Sequence, residues 1–337
     1  MVRKILKYIG KIVVSAALAF VVLNLFCCIY SNVPPHSKNE NGSTDFSRPP
    51  NSFYSRWTEG GSFGKTNNEG LYNLYDYEEG MPVDVIIMGS SHVEGTYVPL
   101  EYGIAARLDE RFQDKTVYNL GMASHTFLTC AKNLDAALTR YEPEYAAILA
   151  TDLLYTDDKL SRAITGDIGE LRSYTSGPIA LIERIPYARL LYDNWDKSIE
   201  NTINSIKGSK SETSDEIDPS EYQNTEQLLD QYLKELHDVA ESHDAKLIIF
   251  YDPSTSLDEN GSLVLGDGSD PVELFSDLCD KNGVLFLDMS ERYLSQYNSS
   301  YVLPHGFWNS SVGSGHLNRY GHKMISDEIY SLISEVE

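Results

Sequence analysis

The sequence predicts an α/β fold: a three-layer α/β/α sandwich on a five-stranded parallel sheet, preceded by an N-terminal transmembrane helix. Three observations carry this expectation. Short apolar runs alternate with helical stripes from Val83 to the C-terminus, several of those runs stop at Gly, Ser or Asp, and an uncharged apolar stretch opens the chain. Strands separated by helical patterns imply parallel βαβ units covered on both faces.

The opening stretch, Ile12 to Tyr30, would reach roughly 28 Å as a helix, close to the bilayer core. Arg3, Lys4, Lys7 and Lys11 precede it and no basic cluster follows. The positive-inside rule puts the N-terminus in the cytoplasm and the rest of a single-pass chain outside the cell membrane. A cleaved signal peptide is the rival, but the run is long for one and no clean small-x-small cleavage site is present. Cys27 and Cys28 do not follow the small residue that a lipoprotein signal needs. The expected organisation is a basic tip and signal anchor over residues 1–30, a polar stalk over 31–80 whose later part packs on the domain or hangs free, and one domain over 81–337.

Within that domain Val83 to Met88 reads as the first strand. Leu100, Ile104, Leu108 and Phe112 mark one face of the helix after it. Thr116 to Leu120 is the second strand. Phe127, Ala131, Leu134, Leu138 and Tyr141 form the next stripe, with Ser124 as the expected N-cap. Tyr145 to Thr151 is the third strand, and a long insertion over about 155–222 follows, helical from Ile179 to Ile206 except at Pro186. Leu229 to Ala240 mark another helix, Lys246 to Tyr251 the fourth strand, Leu274 to Leu278 a helix and Val284 to Leu287 the fifth strand. Tyr320 to Leu332 close the chain as a helix.

The formal net charge of −23 argues against nucleic acid or anionic lipid as a partner. It leaves a neutral or cationic glycan open. Cys130 and Cys279 read as buried thiols or one disulfide, and no cysteine or histidine spacing marks a metal site, so neither cofactor nor metal is expected. His92, His125, His305, His316 and His322 all lie near expected loop ends.

Two motifs suggest chemistry. Gly89-Ser90-Ser91 follows the first strand, where a sharp turn exposes a hydroxyl and leaves backbone N–H groups free to hold an oxyanion. Gly315-His316-Leu317-Asn318 puts a histidine in a loop before the last helix. Alone, each reads more readily as a capped turn or a surface histidine.

Together, Gly89-Ser90-Ser91, Tyr118-Asn119-Leu120-Gly121 and His316-Leu317-Asn318 with Gly321 resemble, in order and context, the blocks of the SGNH (GDSL-like) hydrolase superfamily. The resemblance spans roughly residues 83–335 and implies a flavodoxin-like sheet, Ser91 as nucleophile, His316 as base, and the Ser91 and Gly121 N–H groups as oxyanion donors. It departs from the family at two positions. Asp152 stands where an asparagine donor is usual, and an ionised carboxylate donates nothing. Gly313 stands where the acid three residues before the histidine is usual. Asp252 and Asp288, which end strands on the same sheet edge, are the candidate replacements.

The expected function is acyl transfer at an ester of an exported or cell-surface polysaccharide, as a carbohydrate esterase or O-acetyltransferase. The architecture resembles anchored polysaccharide O-acetylation proteins, which implies an acylated or acyl-accepting polysaccharide and a membrane acyl-donor protein as partners. The alternative is a catalytically impaired module that binds a glycan or an assembly partner. A lipase with an apolar lid from Ile179 to Leu191 is a third reading. Phe307 and Trp308 are candidate sugar contacts.

Overall fold

The computed structural model describes residues 2–39, 41–168, 185–191, 219–266 and 270–336. Much of the Ile179–Ile206 stretch, and most of the polar tail after it, lies outside those residues. Among the described residues of the insertion, 186–191 are helical.

The central sheet is built from β6 (Val85–Met88), β7 (Val117–Asn119), β8 (Tyr145–Ala150), β9 (Lys246–Tyr251) and β12 (Leu285–Asp288), in the spatial order β12-β9-β8-β6-β7. All four pairings are parallel. Every residue of β6 and β8 is buried, as expected for inner strands covered on both faces. One apolar cluster fills the face that holds Tyr118, Ile148 and Ile249, and the other holds Val85, Ile87, Ile248 and Phe250. Alternate residues of one strand thus feed opposite cores.

Helices α3 (Ile104–Phe112), α4 (Phe127–Lys132), α5 (Leu134–Tyr141), α6 (Asp157–Ile164), α7 (Thr225–Ser242), α8 (Val272–Lys281), α9 (Ser290–Ser300) and α10 (Arg319–Val336) accompany the sheet. The expected helix over 127–141 is two helices that meet at Asn133, whose side chain donates to the Thr129 carbonyl at 3.1 Å. Its cap is Thr126, whose hydroxyl accepts from Thr129 N–H. Ser124 instead takes a left-handed turn with φ 74°. Helix α9 has no counterpart in the sequence reading, because its SERYLSQYNSS stripe is polar except for Tyr293, Leu294 and Tyr297.

Of the two alternatives for the stretch over 31–80, its later part packs on the domain. Phe46, Tyr54, Leu71 and Tyr72 are each within 1 % of full burial. β4 (Phe53–Arg56) and β5 (Ser62–Lys65) form a hairpin, and β1 (Ser31–Asn32) adds to it as a third strand. Arg48 is buried against Glu94, with Nε and Nη2 donating to the same carboxylate oxygen at 3.0 and 2.9 Å. Tyr residues do most of the apolar work here: Tyr77 packs on Tyr118 and Tyr141. Low Leu and Ile content hid this packing from the sequence pattern. Helix α1 (Val2–Tyr30) is long and apolar enough to cross a membrane, with a window of mean hydropathy 2.7.

Candidate active site

The site forms at the C-terminal edge of the sheet, where ligands of such folds bind. Strand β6 ends at Met88, Gly89 follows it, and α2 (Ser91–Glu94) starts two residues after that glycine. A side chain at Gly89 would meet Val93 Cγ2 at 2.4 Å and Leu149 Cβ at 2.7 Å, so only glycine lets the chain turn this sharply. Ser90 caps the turn: its hydroxyl accepts from His92 N–H at 3.3 Å. Gly95, at φ 73°, ends it, its N–H donating to the Ser91 carbonyl. Ser91 is half-buried at the first helical position. Among the described residues its N–H has no protein acceptor, as helix geometry expects of a first-turn N–H.

His316 lies in β14 (Val312–Leu317), one residue before its end, where a loop was expected. β14 pairs with β13 (His305–Gly306) and packs against α2, the helix that opens at Ser91, although among the described residues no hydrogen bond joins Ser91 to His316. The imidazole stacks on Tyr97 at 3.6 Å between centroids and meets the His92 ring edge-on at 5.4 Å.

The carboxylate beside His316 is Glu59, which the sequence reading missed. Its Oε2 lies 3.0 Å from His316 Nδ1, and its Oε1 accepts the His316 backbone N–H at 3.2 Å. Burial pushes the Glu59 carboxyl upward, but the two hydrogen bonds and the charge of His316 outweigh it and hold it below its ordinary value. Burial lowers the His316 imidazole below its ordinary value, and the Glu59 contact offsets only part of this. Nδ1 is thereby occupied, leaving Nε2 to act. The turn that carries Glu59 is locked. Gly60 takes φ 71° and approaches so closely that a Cβ would sit 2.2 Å from the Tyr97 carbonyl. Asn309 donates to the Trp57 and Gly60 carbonyls and accepts from Gly60 N–H. An acid followed by two glycines was the available signal, hidden in a polar stretch.

Neither expected acid serves His316. Asp288 Oδ1 accepts from the Ser290 N–H and hydroxyl at 2.9 and 2.6 Å, and so starts α9. Asp252 is fully buried and takes His92 Nδ1 at 2.6 Å on one oxygen and the Tyr293 hydroxyl at 2.6 Å on the other, which also lies 3.2 Å from His305 Nε2. Burial opposes its ionisation, but His305 and His92 hold the carboxyl well below the usual range. Thr255 donates to the Gly313 carbonyl at 2.7 Å, so His305 Nδ1 donates to the Thr255 oxygen at 2.9 Å. Gly313, where the resemblance places an acid, has φ 82°, a region that side chains rarely enter. His92, Asp252 and His305 each put a ligand atom within 4.8 Å of the others, close enough to share a cation, although Asp252 already satisfies His92 Nδ1.

Gly121 does not supply the expected oxyanion donor. Its N–H donates to Asn119 Oδ1 at 2.8 Å, while Asn119 Nδ2 donates to the Tyr72 and Val93 carbonyls. Glycine is needed there for a different reason: a Cβ would lie 2.3 Å from Glu94 N and 2.5 Å from the Val93 carbonyl carbon. Gly121 seats the serine helix. Asp152 is exposed and its carboxylate accepts the Thr151 hydroxyl at 3.4 Å, which offers an oxyanion nothing. Trp308 is 87 % exposed, while Phe307 stacks toward Tyr97 with centroids 6.5 Å apart.

A serine on the turn after the first strand, a late histidine, and the strand order read as second, first, third, fourth, fifth now stand together. The chain has an α/β fold on a five-stranded parallel sheet, the fold class that the resemblance implied. No protein-family model and no curated protein matches the sequence. Solved structures similar to it include the psychrotrophic esterase EstA from Pseudoalteromonas sp. (13 % identity, 75 % of this chain and 97 % of that one, TM-score 0.39). A lipolytic G-D-S-L family protein from Veillonella parvula is similar at 13 % identity over 75 % of this chain and 98 % of that one, TM-score 0.39. A two-domain esterase active on acetylated mannans is similar at 10 % identity over 76 % of this chain and 50 % of that one, TM-score 0.41.

Proposed function

We propose that this domain is a serine-dependent acyl-ester enzyme of SGNH type, either an esterase or an O-acetyltransferase, working on an acylated polysaccharide outside the cell. The observation that carries the reading is the His316–Glu59 pair packed against the turn that presents Ser91. In this mechanism His316 Nε2 takes the Ser91 proton as Oγ attacks the acyl carbon. Glu59 fixes the tautomer and stabilises the imidazolium. The Ser91 N–H faces the developing oxyanion. The protonated His316 then gives its proton to the departing alcohol, and an acyl-serine remains. Water resolves it in an esterase; a sugar hydroxyl resolves it in a transferase. The partners in this reading are the polysaccharide and, for transfer, a membrane acyl-donor protein, with α1 as anchor.

The occupied Gly121 N–H and the exposed Asp152 favour a second reading, a weakly catalytic module that binds a glycan. Losing one oxyanion donor costs about a hundredfold to a thousandfold. A fluorophosphonate probe separates the two. The enzyme reading expects covalent labelling of wild type and none of Ser91→Ala; an unlabelled wild type beside a labelled reference esterase supports the binding module.

A further inference from the structure

Helix α1 runs into the domain without a linker. Ser31 follows Tyr30 directly and opens β1, which pairs with β4. Three further bonds tie the helix end down: the Ser55 hydroxyl donates to the Cys28 carbonyl at 2.8 Å, Trp57 N–H to the Tyr30 carbonyl at 3.0 Å, and Asn32 Nδ2 to the Phe53 carbonyl at 3.0 Å. Glu59 follows Trp57 by two residues, so its Cα lies within about 8 Å of the Trp57 Cα. The same strand carries Arg56, whose guanidinium sits 4.0 Å over the Tyr97 ring that stacks on His316. The catalytic histidine is therefore two side-chain contacts from the end of the apolar helix.

The surface around that helix end is aromatic. Phe53, Trp57 and Phe63 are 48, 42 and 67 % exposed, and Tyr30 is exposed beside them. Aromatic side chains exposed at the end of an apolar span are what a bilayer interface accommodates. The insertion reaches lower. Tyr187 N–H donates to Asn24 Oδ1 at 3.1 Å and its ring meets Phe20 edge-on at 6.0 Å. Arg189 donates to the Val33 and Ser31 carbonyls, and Leu191 is exposed. Asn24 lies about 9 Å down the helix from Tyr30. With α1 across a bilayer and the domain outside, segment 185–191 would lie at outer-leaflet depth, its arginine held up at the polar level.

We infer that the active site is fixed at the bilayer surface and takes an acyl ester carried on a lipid-anchored molecule in that bilayer, not a polymer free in solution. The inference rests on the serine-ester reading for its substrate, and on α1 lying in the membrane for its placement. With a net charge of −23 the contact relies on aromatic and apolar groups, not on attraction to anionic headgroups.

The test uses the full chain in phosphatidylcholine vesicles. Trp195→Phe with Trp308→Phe leaves Trp57 as the one tryptophan. Lipids spin-labelled near the headgroup quench its emission if the inference holds. In parallel, one acyl ester is offered both as a soluble short alcohol ester and as a lipid-anchored ester in the vesicle. The expected result is at least about a tenfold higher kcat/KM for the anchored form, from its effective concentration at the surface. Phe53→Ser with Phe63→Ser lowers that preference and leaves turnover of the soluble ester unchanged. An unquenched Trp57, or equal turnover of both esters by an active enzyme, overturns this inference alone. Failure to turn over either ester overturns the serine-ester reading together with the substrate inferred here.

Discussion

At the residue scale, the decisive difference between sequence and structure is the acid. The places of Ser91 and His316 in the fold were legible because each sits at a break between strand and helix patterns. Glu59 was not, because it reaches His316 across 257 positions from a stretch with no periodicity. Asp252 and Asp288 were plausible by their position at strand ends, but position on an edge does not fix which imidazole a carboxylate meets. Two outcomes follow from the Glu59 assignment. Glu59→Gln keeps the hydrogen-bonding shape but removes the charge that stabilises the imidazolium, so kcat falls by about a hundredfold to ten-thousandfold with KM little changed. Asp288→Asn, measured on the same soluble ester, stays close to wild type. The pH profile gives a second check. His316 acts as a base only when neutral, and burial lowers its pKa, so the acid limb of kcat/KM falls below the ordinary imidazole value. The carboxylate raises that pKa, so Glu59→Gln shifts the limb to still lower pH.

At the element scale, the stretch before the first sheet strand carries loads that a stalk would not. Arg48 reaches from it to Glu94 in α2, and both are almost fully buried. Arg48→Ala leaves the Glu94 carboxylate buried and unpaired, at a cost of about 3–5 kcal/mol. Arg48→Met with Glu94→Leu removes both charges and recovers most of that loss in urea melts. His125 reports on the neighbouring contact with Phe46, ring against ring at 4.7 Å. Burial pushes its imidazole down to about 4. A depressed folded pKa means stability that is full above the ordinary value near 6.5 and is lost as pH falls from there through about 4. The loss attributable to this group amounts to roughly 3 kcal/mol. His125→Phe, which cannot be protonated, shows a smaller fall in unfolding free energy between pH 7 and pH 4 than wild type does.

At the scale of the whole molecule, the five strands were legible because buried parallel strands read as short continuous apolar runs, whereas their spatial order comes from the structure alone. The domain boundary near residue 81 was not, since tyrosines and a buried ion pair build that interface. The boundary is testable. A chain of residues 31–337 melts cooperatively, whereas one of residues 81–337 loses Glu59, exposes the surface that Phe46, Leu71 and Tyr72 cover, and melts earlier or aggregates; circular dichroism and light scattering distinguish them. The chemistry admits the most direct test. In rapid mixing with 4-nitrophenyl acetate, Ser91 assisted by His316 releases a stoichiometric burst of nitrophenolate before steady turnover, and both Ser91→Ala and His316→Gln abolish it. A burst of unchanged amplitude in Ser91→Ala would contradict the account.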